Sequence, residues 1–211
     1  MERFGVLIGD NIFLVPVSLI CGPGRWVLEW YYERWRKDPE VERGYEDLRP
    51  PWKDYEIILS SMLDLYNLYN KSQGSAAIYY IIFQPGCVIN PRLLRTSSPF
   101  LMTMALFLLG LLGARPIGEI GIDNLYVENL EGKEKQWAFN ILIGDPQQRR
   151  RGYGTEAASL FLEHLKKLGL EGVYSYVKSY NDPSIRLHER LGFKKISSGS
   201  DGEEIVFYLD L

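Results

Sequence analysis

Between Trp137 and Lys178 the chain reads WAFNILIGDPQQRRRGYGTEAASLFLEHLKKLGLEGVYSYVK, and no other stretch restricts the fold as tightly. From Thr155 to Leu168 the residues Ala158, Phe161, Leu162, Leu165 and Leu168 share one helical face, which has to be buried against something apolar. Lys166 and Lys167 followed by Gly169 supply a basic last turn and a terminating glycine. The flanking segments Trp137 to Ile143 and Val173 to Lys178 are short, β-branched and aromatic, the composition of strands. Asp182-Pro183 then opens a further helix as N-cap and first-turn proline, and Ile205 to Leu211 closes as a strand. Strands alternating with helices make this an α/β chain.

The first half is read by the same rules. MERFGVLIGDNIFLVPVSLICG is apolar enough to resemble a leader, but Glu2 stands where a basic region belongs and Asp10-Asn11 splits the apolar run, so it is read as a strand pair. Within it, Ile12 to Val17 is a strand that Pro16 confines to an edge or a bulge. Trp26, Val27, Trp30, Tyr31 and Arg34 recur at helical spacing from Gly24 to Trp35, and Asp38-Pro39 stops that helix. Ile58, Met62, Leu65 and Tyr69 predict a second helix over Tyr55 to Tyr69, and Ala76 to Phe83 and Ile117 to Asp123 read as strands. The aromatic set Trp26, Trp30, Tyr31, Trp35 and Trp52 is read as core rather than as the floor of a cleft. With no internal repeat or linker, the 211 residues make a single domain, 1–211.

Charge narrows the function. Lys plus Arg total 24 against 27 Asp plus Glu, a net charge of −3, which excludes a protein that coats nucleic acid by neutralising phosphates. Cys21 and Cys87 form no CxxC pair and have no His at ligand spacing, so neither a disulfide framework nor a metal site is expected, and reduced thiols fit the cytoplasm. Arg149, Arg150 and Arg151 therefore need a local explanation. They run into Gly152-Tyr153-Gly154-Thr155 at the start of a helix, where glycines permit a tight turn and the helix dipole adds positive charge. That is an anion site. Its spacing is neither GxGxxG nor GxxxxGK[ST].

ILIGDPQQRRRGYGTEA, followed by SYNDPSIRLHERLGFKK, resembles the GNAT superfamily of N-acetyltransferases. The superfamily's acetyl-CoA signature fits Arg149, Gly152 and Gly154, and its later element, an Asn before a short helix ending in Leu-Gly-Phe, fits Asn181 and Leu191-Gly192-Phe193. More loosely, LIGDNIFLVPV and ERWRKDPEV resemble the opening of the ribosomal-protein N-acetyltransferase branch. The resemblance implies a GNAT-type mixed central sheet flanked by helices, with a splayed parallel strand pair at the CoA site. It implies acetyl-CoA as co-substrate, without a metal. Backbone amides from about Arg150 to Thr155 would cradle the pyrophosphate, the arginines would meet the remaining phosphate charge, and Leu142 and Ile143 at the end of the first strand would meet pantetheine.

Acetyl transfer to an amine requires a neutral nucleophile, a stabilised oxyanion and a proton for the departing thiolate. Where the family often carries a Tyr for that proton, this chain has His188, one turn from Ser184, which would contact pantetheine. The alternation of PIGEIGID puts Ile117, Glu119, Gly121 and Asp123 on one side of a strand, making Glu119, and after it Asp123, candidates for the base. The acceptor is a protein N-terminus or a small amine. The missing Tyr leaves open a non-catalytic acyl-CoA-binding module. A last feature departs from the family: about thirty residues, 84–115, are inserted between two strands. They contain PFLMTMALFLLGLLGA, sixteen residues without a charge, short of the roughly 18 or more that span a bilayer. A membrane-associated enzyme acting on a lipid-linked amine is a rival reading of that run, and a protein-covered element, most simply a homodimer contact, is the one expected.

Overall fold

In the computed structural model the described residues are 5–20, 25–44, 57–58, 76–86, 99–123, 137–198 and 203–211. The chain opens with β1 (Leu7–Ile8) and β2 (Phe13–Pro16), an antiparallel pair that sets Leu7 opposite Leu14 and Ile8 opposite Phe13. β1 ends before it reaches Pro16, so the proline lies where β2 has no partner on that side, which its missing N–H requires. After a short 3-10 turn come α1 (Arg25–Trp35) and α2 (Pro39–Gly44). Asp38-Pro39, read as a stop, is also a start. Asp38 Oδ1 accepts from the N–H groups of Glu40 and Val41 at 3.0 and 3.3 Å, an N-cap with proline in the first helical position.

Ile57–Ile58, expected within a helix over Tyr55 to Tyr69, forms β3 instead, parallel to the start of β4 (Ala76–Gln84). The rest of that expected helix lies outside the described residues, as do Cys21, Trp52 and Cys87. The insertion holds α3 (Pro99–Leu111), followed by β5 (Arg115–Asp123) and β6 (Ala138–Ile143). α4 (Tyr153–Lys167), β7 (Gly172–Lys178), α5 (Asp182–Arg190), β8 (Lys194–Ser198) and β9 (Glu204–Asp210) complete the chain. Among the described residues the strands form one nine-stranded sheet in the order β1-β2-β4-β5-β6-β7-β9-β8, with β3 beside β4. β6 and β7, joined through α4, run parallel, while β4, β5 and β6 are antiparallel neighbours.

Both faces of the sheet are covered. On one, Ala157, Ala158, Phe161, Leu162 and Leu165 of α4 pack on Ile78, Tyr80, Ile120, Ile122 and Phe139. On the other, Leu28, Tyr32 and Trp35 of α1 and Val41 of α2 pack on Phe13, Val15, Tyr79, Ile81 and Leu142. Trp35 is core, as expected, whereas Trp30 of the same stripe is 55% exposed. The strict alternation expected along β5 fails at one residue. The β4–β5 register shifts between Ile82 and Phe83, leaving Ile117 as the extra residue of a bulge, so it joins Ile120 and Ile122 under α4 rather than Glu119. α3 buries Leu109 beside Val17 and Leu19, while Leu101, Met104, Phe107, Leu108 and Leu111 stay exposed.

Candidate active site

The site begins where the sheet opens. β6 and β7 are in register at Ala138 and Tyr174, with Tyr174 N–H donating to Trp137 O at 2.9 Å, and the ladder goes no further. One residue on, the Ser175 hydroxyl takes the place of a ladder bond and donates to Phe139 O at 3.1 Å. From there to Ile143 and Lys178 the strands part, forming a V whose edges are β6 and β7.

A compact loop closes the β6 side of the V. Gly144 has to be a glycine because the Trp35 ring lies on it: a Cβ there would come within 2.2 Å of the indole. Asp145 caps the turn Pro146–Gln148, its Oδ1 accepting from Gln147 N–H at 3.0 Å. Arg150 then takes φ 60 and Gly152 φ 87, two left-handed residues that swing the chain into α4. A Cβ added at Gly152 would meet nothing within 4 Å, so open space lies over the helix start. By helix geometry the first-turn N–H groups of Tyr153, Gly154 and Thr155 lack intrahelical acceptors, and Arg150 and Arg151 are exposed beside them. The Tyr153 ring is held back from this space, its hydroxyl accepting from Gln84 Nε2 at 3.2 Å while Gln84 Oε1 accepts from Arg115 at 3.4 Å. Left-handed turn, open space, first-turn amides and two exposed arginines fit a pyrophosphate.

Arg149 differs from its neighbours. Its Nε donates to Ile143 O at 2.9 Å, Nη2 to Gly144 O at 3.3 Å, and Nη1 lies 3.0 Å from Asp38 Oδ1 and 2.8 Å from Glu40 Oε2. The fork that would grip a phosphate is already occupied by protein.

His188 lies on the α4 face of the sheet, 2% exposed, among the rings of Phe139, Phe193 and Phe207. Its Nδ1 is 2.8 Å from Ser184 O, which only accepts, so Nδ1 carries the proton and Nε2 is an acceptor, and the one Ser175 hydroxyl proton is shared between Nε2 at 2.8 Å and Phe139 O. Burial pushes its pKa below the usual imidazole value. Ser184 Oγ stands 3.4 Å from the same Nδ1, and its N–H is capped by Asn181 Oδ1 at 3.2 Å.

The candidate bases lie on the opposite face. Glu119, paired with Leu142 across the β5–β6 ladder, is 6% exposed and accepts a hydrogen bond from the Tyr32 hydroxyl of α1. Asp123 is fully buried, accepting from Tyr79 Oη at 3.2 Å and Asn140 Nδ2 at 2.5 Å. Sequence reasoning singles out neither Tyr32 nor Asn140, and takes Asp38 and Glu40 only as a helix stop and as part of ERWRKDPEV. Tyr32 carried a usable signal, since it sits one turn from Leu28 on the buried face of α1. Among the described residues no three or more His, Cys, Asp or Glu side chains gather to hold a metal ion, and no helix is long and apolar enough to cross a membrane.

A parallel strand pair that splays beside a glycine-rich helix start defines the class of acetyl-CoA-dependent N-acetyltransferases. The family model described as "Acetyltransferase (GNAT) domain" matches residues 28–194, and the chain belongs to that family. It is 32% identical over 91 residues to the mouse alpha/beta-tubulin-N-acetyltransferase 9, a match covering 43% of this chain and 37% of that one. For the first three curated relatives the matched share of their own length is 37%, 49% and 30%, so the chain spans about a third to a half of them. Two solved structures share the fold. A domain from Methanocaldococcus jannaschii superposes with a TM-score of 0.55 at 20% identity, covering 96% of this chain and all of that one. The ribosomal-protein-S5-alanine acetyltransferase of Vibrio fischeri gives 0.54 at 13%, covering 100% and 97%.

Proposed function

We propose that the chain transfers acetyl from acetyl-CoA to a primary amine of a protein N-terminus, by direct attack in a ternary complex and without a metal. The observation that carries this is the left-handed Gly152 with open space over the start of α4, set at the edge of the β6–β7 V. Amides of Gly152 to Thr155 and the side chains of Arg150 and Arg151 hold the pyrophosphate, and the parted edges of β6 (Leu142 and Ile143) and β7 flank pantetheine. Acetyl-CoA supplies the activated acyl group as a thioester. This chain's part is to place the amine, take its proton and steady the developing charge.

Glu119 is the group for that proton. It stands on the strand beside β6, and the Tyr32 hydroxyl fixes its orientation; Asp123, the second candidate, is held in place on the same face by two donors. His188 enters as a positioning group: by holding Ser175 and the Ser184 carbonyl it fixes where β6 and β7 part and where Asn181 and Ser184 stand. A protein acceptor is supported by the names of the mouse and Vibrio relatives, both protein acetyltransferases. A small amine remains the alternative acceptor.

A second copy of the chain in the cytoplasm completes the reading by covering α3, whose Phe107 and Leu111 are 62% and 70% exposed. That same face favours the second reading, a membrane-associated acyltransferase acting on a lipid-linked amine. Incubation of the purified chain with acetyl-CoA and a library of N-terminal peptides, read by mass spectrometry, tests the acceptor. Light scattering and liposome flotation separate dimer from membrane: a monomer that floats with vesicles favours the lipid-linked acceptor.

A further inference from the structure

The loop, the V and α2 are fastened together in a way that the acetyl-CoA signature does not describe. At one end of α2, Asp38 and Glu40 engage the Arg149 guanidinium, which also holds the carbonyls of Ile143 and Gly144 where β6 ends. At the other end, the Tyr180 hydroxyl, just past β7, donates to Arg43 O at 2.7 Å, and Gly44 lies against the Asn181 side chain, a Cβ there standing 3.7 Å from Nδ2. α2 is thus tied to the β6 arm of the V by one end and to the β7 arm by the other. Its inner residue, Val41, is buried with Leu142 of β6 and Trp35. The ties are polar and lie at the rim, while the middle is apolar: the arrangement of a fastened strap.

We infer that Arg149 is a positioning residue that buckles α2 across the mouth of the V, and that this strap governs the entry and exit of CoA. The inference rests on the V being the CoA site. Arg149 acts through α2 and the end of β6, with its donors turned to carbonyls and carboxylates of the protein, while Arg150 and Arg151 are the arginines that face the ligand. Loosening either end of the strap then speeds CoA exchange in both directions and moves the equilibrium affinity little. Loss of a phosphate ligand instead weakens affinity, and only when the loop end is altered.

The test is stopped-flow binding of CoA, read by tryptophan fluorescence, on the wild type and two variants. Asp38→Asn/Glu40→Gln leaves Arg149 intact and removes its acidic partners. Tyr180→Phe removes one hydroxyl from a 53% exposed side chain at the far end of the strap, so its folding is safe. The wild type first has to bind CoA; if it does not, the site reading itself fails, separately from the strap. Given wild-type binding, dissociation should quicken about fivefold or more in both variants, with the equilibrium constant within about threefold, and amide hydrogen exchange over residues 39–44 should quicken with it. Unchanged dissociation in Tyr180→Phe overturns the strap. So does tighter CoA binding in the acid variant, since it would mean that Arg149 had been released to grip phosphate.

Discussion

Gly152 and Gly169 form a matched pair that separates the fold's demands from the ligand's. They sit just before and just after α4, with φ 87 and φ 86, and a Cβ added to either meets nothing within 4 Å. Replacing either by alanine adds no clash in the free protein and forces a side chain into the left-handed region, at about 1–2 kcal/mol. In a chain of this size each variant should melt roughly 2–8 °C below wild type. Affinity for CoA should then part them. At Gly152 the added methyl projects into the space assigned to the pyrophosphate and shifts the amides around it. At Gly169 it projects into solvent at the far end of the helix. Isothermal calorimetry with CoA should show Gly152→Ala weakened at least tenfold, about 1.4 kcal/mol, and Gly169→Ala unchanged. Equal affinities in the two variants, at matched losses of stability, would refute the placement of the pyrophosphate.

Three further outcomes follow from particular contacts. Burial lowers the pKa of both histidines, His164 beside Tyr80 and His188 beside Ser175, below their unfolded value of about 6.5. Each favours the folded state while neutral, so stability should be fully present above about pH 6.5 and fall as pH drops towards the folded pKa values, by up to about 1.4 kcal/mol per unit per histidine. Melting curves of wild type and His164→Gln between pH 7 and 5 check this, and an unaltered slope in the variant would remove His164 from the account. Glu119→Gln should lower kcat/KM on the order of 10²-fold or more, most at low pH where fewer acceptor amines are already neutral, and Tyr32→Phe should lower it less. A pH profile parallel to wild type in Glu119→Gln would exclude the base. Phe107→Ser with Leu111→Ser should turn a dimer into a folded monomer by light scattering with CoA affinity unchanged, and a double variant that stays dimeric would move the interface off α3.

What could be read from the sequence follows from which forces are local. α4 was legible because its burial repeats every three or four residues and its capping signals lie within a turn of its ends. β8 is not legible because all five of its residues, Lys194 to Ser198, are exposed, Ile196 is its one apolar side chain, and the strand is held by pairing with β9. The Ile117 bulge is a property of two strands, visible only when β4 and β5 are set in register. Asp38-Pro39 reads as an end from sequence because the pair serves equally as terminator and N-cap, and here it does both, closing α1 and capping α2. In the site, the glycines announced the loop because backbone conformation is written in residue type. The surroundings of His188 were not legible, since Phe139, Ser175, Phe193 and Phe207 come from four separate segments.

The most direct test of the account is single-turnover incubation of the purified chain with acetyl-CoA and the N-terminal peptide library, with peptide acetylation and release of the free CoA thiol measured together. Stoichiometric loss of the thioester matched by acetyl on primary amines is expected, slowed on the order of 10²-fold or more in Glu119→Gln and weakened in Gly152→Ala. CoA binding by calorimetry with no acetyl transfer to any amine would contradict it and leave a chain that binds acyl-CoA without using it.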